Sequence, residues 1–337
     1  MNVPAPIAAM PKERLIGLVN ELKRTRGVAI LAHNYQEGPI QEVADFLGDS
    51  LKLAQYARRV EAPVILFCGV HFMAETAAIL CPGKNVIVPD PAAGCSLADT
   101  VLPGQIRHWR GQHPDGVVVC YINTTAAVKA ECDTCCTSAN AVQVVQAIPL
   151  EKEILFVPDY YLGSYVKVKT DRKIDLWKGY CPSHAVIDPT QIERLQDLYP
   201  EAEFLMHPEC GCLTKQMDLA DRILSTDGMI QYVKESPSQA FIIATDNGIL
   251  YRMQKENPEK RFLPASEHAR CHHMERNTLE KVYRSLVTLE VEVTVPPEMA
   301  RRALVPIERM LAVTAGANVA TADIEEDWIL ELANDLR

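Results

Sequence analysis

The sequence has 337 residues, 48% hydrophobic and 23% charged, with only 3 Trp and 7 Phe, a composition that excludes a disordered or fibrous chain. Its 34 Lys and Arg against 44 Asp and Glu leave a net charge of −10, which argues against a broad nucleic-acid or anionic-membrane surface while allowing a local pocket for a small anion. A chain of this length can bury large cores without disulfides or a structural metal, so its 11 cysteines call for another explanation.

The N-terminal MNVPAPIAAMPKERL lacks the basic and apolar regions of a secretion signal, and no transmembrane-length apolar run occurs. A cytoplasmic protein is expected, with its cysteines as thiols or metal ligands. An amphipathic helix carrying Leu15, Leu18, Val19 and Leu22 comes first. Short apolar strands follow at 28–32, 64–68, 85–88, 117–122, 154–157, 204–206 and 241–244, each leading through a polar loop into a helical pattern. That rhythm predicts an α/β fold with parallel sheets buried on both faces and functional loops beyond the strands' carboxyl ends. Past about residue 290, VEVTVPPEMARRALVPIERMLAV and ADIEEDWILELANDLR predict a strand, a proline-bounded helix and an acidic terminal helix.

Three sets of marks repeat. Val28, Val117 and Glu203 are 89 and 86 residues apart, and Val64, Ile154 and Phe241 are 90 and 87 apart. Cys95, Cys181 and Cys271 are separated by 86 and 90. The sequence therefore proposes three similar α/β units, each with one cysteine at an equivalent place, which in a ring would bring three thiolates toward one axis. The boundaries fall at 1–112, 113–198 and 199–290, with 291–337 as an extension packing on the core.

The strand ends carry polar residues: His33 and Tyr35, Tyr121 and Asn123, His207 and Glu209. Glu209, beside His207, is the acid–base candidate. His184 follows Cys181 closely, whereas His108, His113 and His272 read as surface residues. YINTTAAVKAECDTCCTSANA predicts a strand end, a loop, and a helix starting at Thr137–Ser138 whose free N–H groups suit an anion. Ser50 in GDSLKLA and Thr226 in STDGM repeat that hydroxyl. Three soft thiolates suit zinc or iron–sulfur, and three ligands around a four-iron cluster leave one iron open. Cys68, Cys81 and Cys120 read as small buried hydrophobes. The CxxC within CDTCC and the Cys210, Cys212 pair are weak metal signals standing alone.

Taken together, LAHNYQ, GDSLKLA, AAGCSLAD, YINTTAAVKA with TSANA, GYCPSH, HPEC, STDGM and the late Cys271 resemble the quinolinate synthase family of NAD biosynthesis, in order, from about residue 28 to 275. The resemblance implies three similar three-layer α/β/α domains with pseudo-threefold symmetry around a central active site. It implies a [4Fe–4S] cluster held by Cys95, Cys181 and Cys271, with one iron open to substrate as a Lewis acid. It places substrate and acid–base residues at His33, Tyr35, Ser50, Tyr121, Asn123, Ser138, His184, His207, Glu209 and Thr226. The implied transferase reaction condenses iminoaspartate, supplied by an iminoaspartate-producing enzyme, with dihydroxyacetone phosphate to give quinolinate, phosphate and two waters. Neither nucleic acid nor membrane is an expected partner, and a monomer or homodimer is expected.

One departure stands out. Where some family members carry a CxxCxxC run at the third ligand, this sequence reads CHHME, so thiol switching there is not expected. Two alternatives remain at this point: another open-iron hydro-lyase, and a zinc-binding structural or interaction protein built on CDTCC.

Overall fold

The computed structural model describes residues 10–213 and 217–315. By its internal packing the chain divides into two compact units, Met1–Cys95 with Pro182–Thr294, and Ser96–Cys181 with Val295–Arg337. The first unit holds two four-stranded sheets. One consists of β1 (Val28–His33), β2 (Phe46–Gly48), β3 (Val64–Cys68) and β4 (Asn85–Ile87) in the order β2-β1-β3-β4. The sheet of the second unit consists of β5 (Val117–Tyr121), β6 (Thr134–Cys136), β7 (Ile154–Val157) and β8 (Ile174–Leu176) in the order β6-β5-β7-β8. The other sheet of the first unit consists of β9 (Glu203–Met206), β10 (Arg222–Ile223), β11 (Ala240–Ala244) and β12 (Arg261–Pro264) in the order β10-β9-β11-β12.

All nine pairings are parallel, and the same order occurs three times. The expected α/β class, with three similar sheets flanked by helices, is the class the chain adopts. Strands β1 and β5 are buried along their whole length, which is why they read as unbroken apolar runs. In each sheet the order reverses beside the first strand, placing a ligand crevice beyond the carboxyl ends of β1, β5 and β9.

Two side-chain devices recur with the sheets. Asp45, Asp133 and Asp221 each immediately precede the second strand of their sheet. Their carboxylates accept the N–H of Ile30 (2.8 Å), Val118 (2.7 Å) and Phe204 (2.7 Å) in the first strand. Their own N–H groups donate to the carbonyls of the same three residues. A charged acceptor at the edge pins the register of a strand too short to hold itself. Likewise Lys84, Arg172 and Lys260 precede the last strand of each sheet and donate to carbonyls near the end of an earlier helix: Ala62, Ile148 with Pro149, and Val233 with Ser236.

Several expectations need correction. Strands β2, β6, β8, β10 and β12 were not foreseen; all five lie at sheet edges and have 2–4 residues. The segment after Tyr121 is not one loop. It forms a short helix Ala126–Lys129, then β6 through the CDTCC motif, and its next helix begins at Ala141 with Asn140 as N-cap, not at Thr137–Ser138. The pinning bonds of Asp133 make Cys135 and Cys136 part of the sheet.

The strand expected after residue 290 is a single antiparallel bridge, Ile87 to Glu292. The proline-bounded helix forms at Pro297–Thr314. It is fastened within the second unit by Arg302 and Arg309, which donate to the carbonyls of Ala130 (2.8 Å) and Asp133 (2.7 Å). The acidic terminal helix expected over 322–337 lies outside the described residues. Among those residues no helix is long and apolar enough to cross a membrane.

Candidate active site

The aspartate pins fix which residues correspond. Counting from Ile30, Val118 and Phe204, the third residue on is His33, Tyr121 and His207, and the fifth is Tyr35, Asn123 and Glu209. Counting five on from the aspartates gives Ser50, Ser138 and Thr226. The sites read off the strand ends are thus one constellation repeated three times, with different side chains in each sheet. Tyr121, Asn123 and Ser138 stand in the second unit, and the other six stand in the first, as does His184.

Within the first unit the side chains form two linked groups. His33, His184, His207 and Glu209 are all buried. Tyr35 Oη lies 2.6 Å from Thr245 Oγ1 and 3.4 Å from His184 Nε2, and His184 Nε2 is 2.9 Å from the same Thr245 hydroxyl. On its other side His184 Nδ1 lies 3.9 Å from Glu209 Oε2, while His207 Nδ1 lies 3.4 Å from that oxygen. The two imidazoles stack with centroids 5.1 Å apart. Gly248 allows the Tyr35 loop to approach, because a Cβ there would lie 2.2 Å from the Tyr35 carbonyl oxygen. Gln41 fastens the same loop by donating to the carbonyls of Asn34, Gln36 and Gly248.

Burial sets the charge of this group. It lowers His33 to about 3, with His184 adding to the effect, and lowers His184 to about 4. Burial also depresses His207, followed by the charges of His184 and His33. All three rings are therefore neutral near pH 7. Tyr35 N–H donates to His33 Nδ1 at 3.2 Å, which leaves the His33 proton on Nε2. Neutral imidazoles beside a buried carboxyl can pass protons without a full charge in the pocket.

The second group joins two helix starts. Ser50 and Thr226 are the first residues of helices Ser50–Arg59 and Thr226–Glu235, but the caps are one residue earlier: Asp49 accepts from Lys52 N–H and Ser225 from Gly228 N–H. The caps bind each other, with Ser225 Oγ donating to Asp49 Oδ2 at 3.1 Å and Asp49 N–H donating to Asp227 Oδ2 at 2.5 Å. Burial and Asp227 push the Asp49 carboxyl up to about 6. Lys52 Nζ and Arg252 Nη1 stand 3.3 Å and 3.6 Å from Asp227 Oδ1. Asn34 connects this group to the first by donating to Thr226 Oγ1 at 3.1 Å. First-turn N–H groups lack carbonyl partners within their helices, and here Asp49 and Ser225 take one at each start, leaving the others available to a ligand.

In the second unit Tyr121 and Thr124 are buried, and Asn123 Oδ1 is buried with no hydrogen-bond partner among the described residues. A buried acceptor of that kind awaits a donor. The shorter helix Ala141–Gln146 offers less of a cradle than was expected of Ser138.

The cysteines separate by environment. Cys68, Cys81, Cys120, Cys132, Cys135 and Cys136 are buried and Cys95, Cys181 and Cys271 partly exposed, and none of these nine is in a disulfide. The expectation of thiols throughout fails at Cys210 and Cys212, which are joined to each other with Cα atoms 5.2 Å apart, a separation that a disulfide spans. The three partly exposed cysteines sit in loops closed alike. His71, Tyr160 and Asn247 donate their N–H to Ala93 (2.7 Å), Gly179 (2.8 Å) and Ala269 (2.7 Å), each two residues before a cysteine.

CDTCC lacks the geometry of a zinc knot, because Cys135 and Cys136 are adjacent on β6 and point to opposite faces. Among the described residues, the group whose ligand atoms come within 4.8 Å of one another is His184, His207 and Glu209. These residues already partner each other, Tyr35 and Thr245, an arrangement suited to a polar substrate. Thr245, Asn34, Asp49, Asp227 and Arg252 were missed in the sequence. Thr245, directly after β11, and Asn34, directly after β1, stood at positions that the strand-end rule could have flagged.

A family model described as quinolinate synthetase A protein matches residues 18–312. A quinolinate synthase of Pyrobaculum aerophilum is 51% identical over 298 residues, covering 87% of this chain and 97% of that protein. One from Thermus thermophilus is 51% identical over 306 residues, covering 90% and 99%. One from Methanosarcina barkeri is 48% identical over 304 residues, with the same coverage.

Proposed function

The chain belongs to the quinolinate synthetase A family, and from that membership we infer that it condenses iminoaspartate with dihydroxyacetone phosphate to give quinolinate, phosphate and two waters. The observation that carries this reading is the half-identity to quinolinate synthases over nearly the whole chain. The other open-iron hydro-lyase and the zinc-binding protein have no such support. The compartment proposed is the cytoplasm, whose reducing conditions suit nine free cysteines.

Family membership implies an iron–sulfur cofactor, and the donor set fits one. Cys95, Cys181 and Cys271 would hold a [4Fe–4S] cluster, since they are the partly exposed free thiols and occupy equivalent loops. Soft thiolates favour such a cluster. When bound, the cluster supplies Lewis acidity at an iron that no cysteine occupies.

The protein's own groups account for the rest. The helix starts at Ser50 and Thr226 would hold the phosphate and a carboxylate, each of which gains from N–H dipoles aimed at it. Tyr121 and Asn123 would orient the imino acid, with Asn123 Oδ1 accepting from its nitrogen. Tyr35, held by Thr245 and His184, would move protons in phosphate loss and triose isomerisation, with His33 donating from Nε2. Glu209, between His184 and His207, would take a proton at carbon and deliver it to a departing hydroxyl during dehydration and ring closure.

Substrate omission tests the reading. Anaerobically reconstituted protein should release quinolinate and phosphate in equal amounts only when the imino acid and the triose phosphate are both present. Phosphate release without quinolinate, or turnover of a hydroxy acid alone, would rule it out.

A further inference from the structure

The three cysteine loops are closed by the same backbone bond, but they differ at one position. In the third sheet the residue before Asn247 is Asp246, buried, with Oδ1 accepting from Gly248 N–H at 2.8 Å and Oδ2 accepting from Cys271 N–H at 2.6 Å. In the second unit the residue before Tyr160 is Asp159, also buried, which caps helix Tyr160–Thr170 by accepting from Leu162 N–H at 2.7 Å. Its other oxygen, Oδ2, is buried with no hydrogen-bond partner among the described residues, and its backbone bridges Gly179 in the Cys181 loop, where the Cys181 N–H faces the same carboxylate. In the first sheet the same place, before His71, is occupied by Val70.

We infer that Asp246, which accepts the Cys271 N–H, and Asp159, whose carboxylate faces the Cys181 loop, are positioning residues that set those two loops for the iron–sulfur cluster. This inference rests on the proposal that those cysteines are cluster ligands.

The first sheet serves as an internal control. Its loop closes through His71 N–H and the Ala93 carbonyl with an apolar side chain at the critical place, so the fold does not need a carboxylate there. Burying an acid without a basic partner is costly, and both aspartates are received mainly by backbone amides. At Asp246 both oxygens accept N–H groups, from Gly248 and from Cys271. An acceptor fixed on the ligand's amide determines where the thiolate points. Outer partners of this kind tune both affinity and potential.

The test compares Asp246→Asn and Asp159→Asn with Val70→Ala after anaerobic reconstitution. The readouts are iron release to a chelator and the cluster's midpoint potential, with thermal unfolding of the apoprotein as a check on folding. Asparagine keeps the volume but loses one acceptor and the charge. Both aspartate variants are expected to release iron about 10- to 100-fold faster and to shift the potential to more positive values, while Val70→Ala changes neither. Should Asp246→Asn not fold, Asp246→Glu, which keeps the charge but misplaces it, is expected to release iron faster than wild type. Wild-type release and potential in the folded aspartate variants would overturn the inference, even where Cys271→Ala abolishes the cluster. Full iron occupancy in Cys271→Ala would overturn the ligand reading beneath it.

Discussion

Glu209→Gln is expected to lower kcat by roughly 100- to 10,000-fold, the usual contribution of a positioned acid–base group, with cluster absorbance and iron content unchanged. The substitution keeps the shape of a buried side chain set between His184 and His207 and removes only its capacity to take and return a proton. The neighbouring rings cannot substitute, because burial holds His33 and His184 neutral down to about pH 3 and 4. Steady-state kinetics with iron counted on the same sample check the prediction. A variant within about tenfold of wild type would remove Glu209 from proton transfer, and loss of the cluster would make its role structural.

Ser50→Ala and Thr226→Ala are each expected to raise KM for the triose phosphate or the imino acid by about 10- to 150-fold. A hydrogen bond to a charged group contributes about 1.5–3 kcal/mol, and a helix start adds its own field. The stability cost should be small, since the capping side chains are Asp49 and Ser225. Thr226→Ala also removes the acceptor for Asn34, so it should perturb the Tyr35 loop more than Ser50→Ala does. Measuring KM for each substrate separately assigns the two helix starts. Unchanged KM for both substrates in both variants would exclude the cradle.

The central strands were legible because burial on both faces leaves continuous apolar runs, as in VAIL of β1 and FIIA of β11. Except for β4, the edge strands were not, because runs such as FLG and RI are too short to show a period. Their true signal lay in polar residues. Asp45, Asp133 and Asp221 are spaced 88 residues apart, as are Lys84, Arg172 and Lys260, a more regular repeat than the apolar marks supplied. CDTCC, a weak metal signal in the sequence, has a structural explanation instead: Thr134–Cys136 is a strand pinned by Asp133.

The candidate site was legible where a residue directly ended a strand, as with His33, Tyr121 and His207. Residues whose role depends on partners far along the chain were not. Thr245 meets Tyr35 across 210 positions, and Asp227 meets Asp49 across 178. The hydroxyls of Ser50 and Thr226 were read as helix starts, but the caps proved to be their predecessors, because Asp49 and Ser225 each reach the third helical N–H.

Iron and sulfide counting after anaerobic reconstitution tests the central claim most directly. The account predicts about four irons per chain in the wild type and in the joint Cys132→Ala, Cys135→Ala, Cys136→Ala variant. It predicts none in the joint Cys95→Ala, Cys181→Ala, Cys271→Ala variant. Full iron in the latter, or its loss only from the CDTCC variant, would contradict the account.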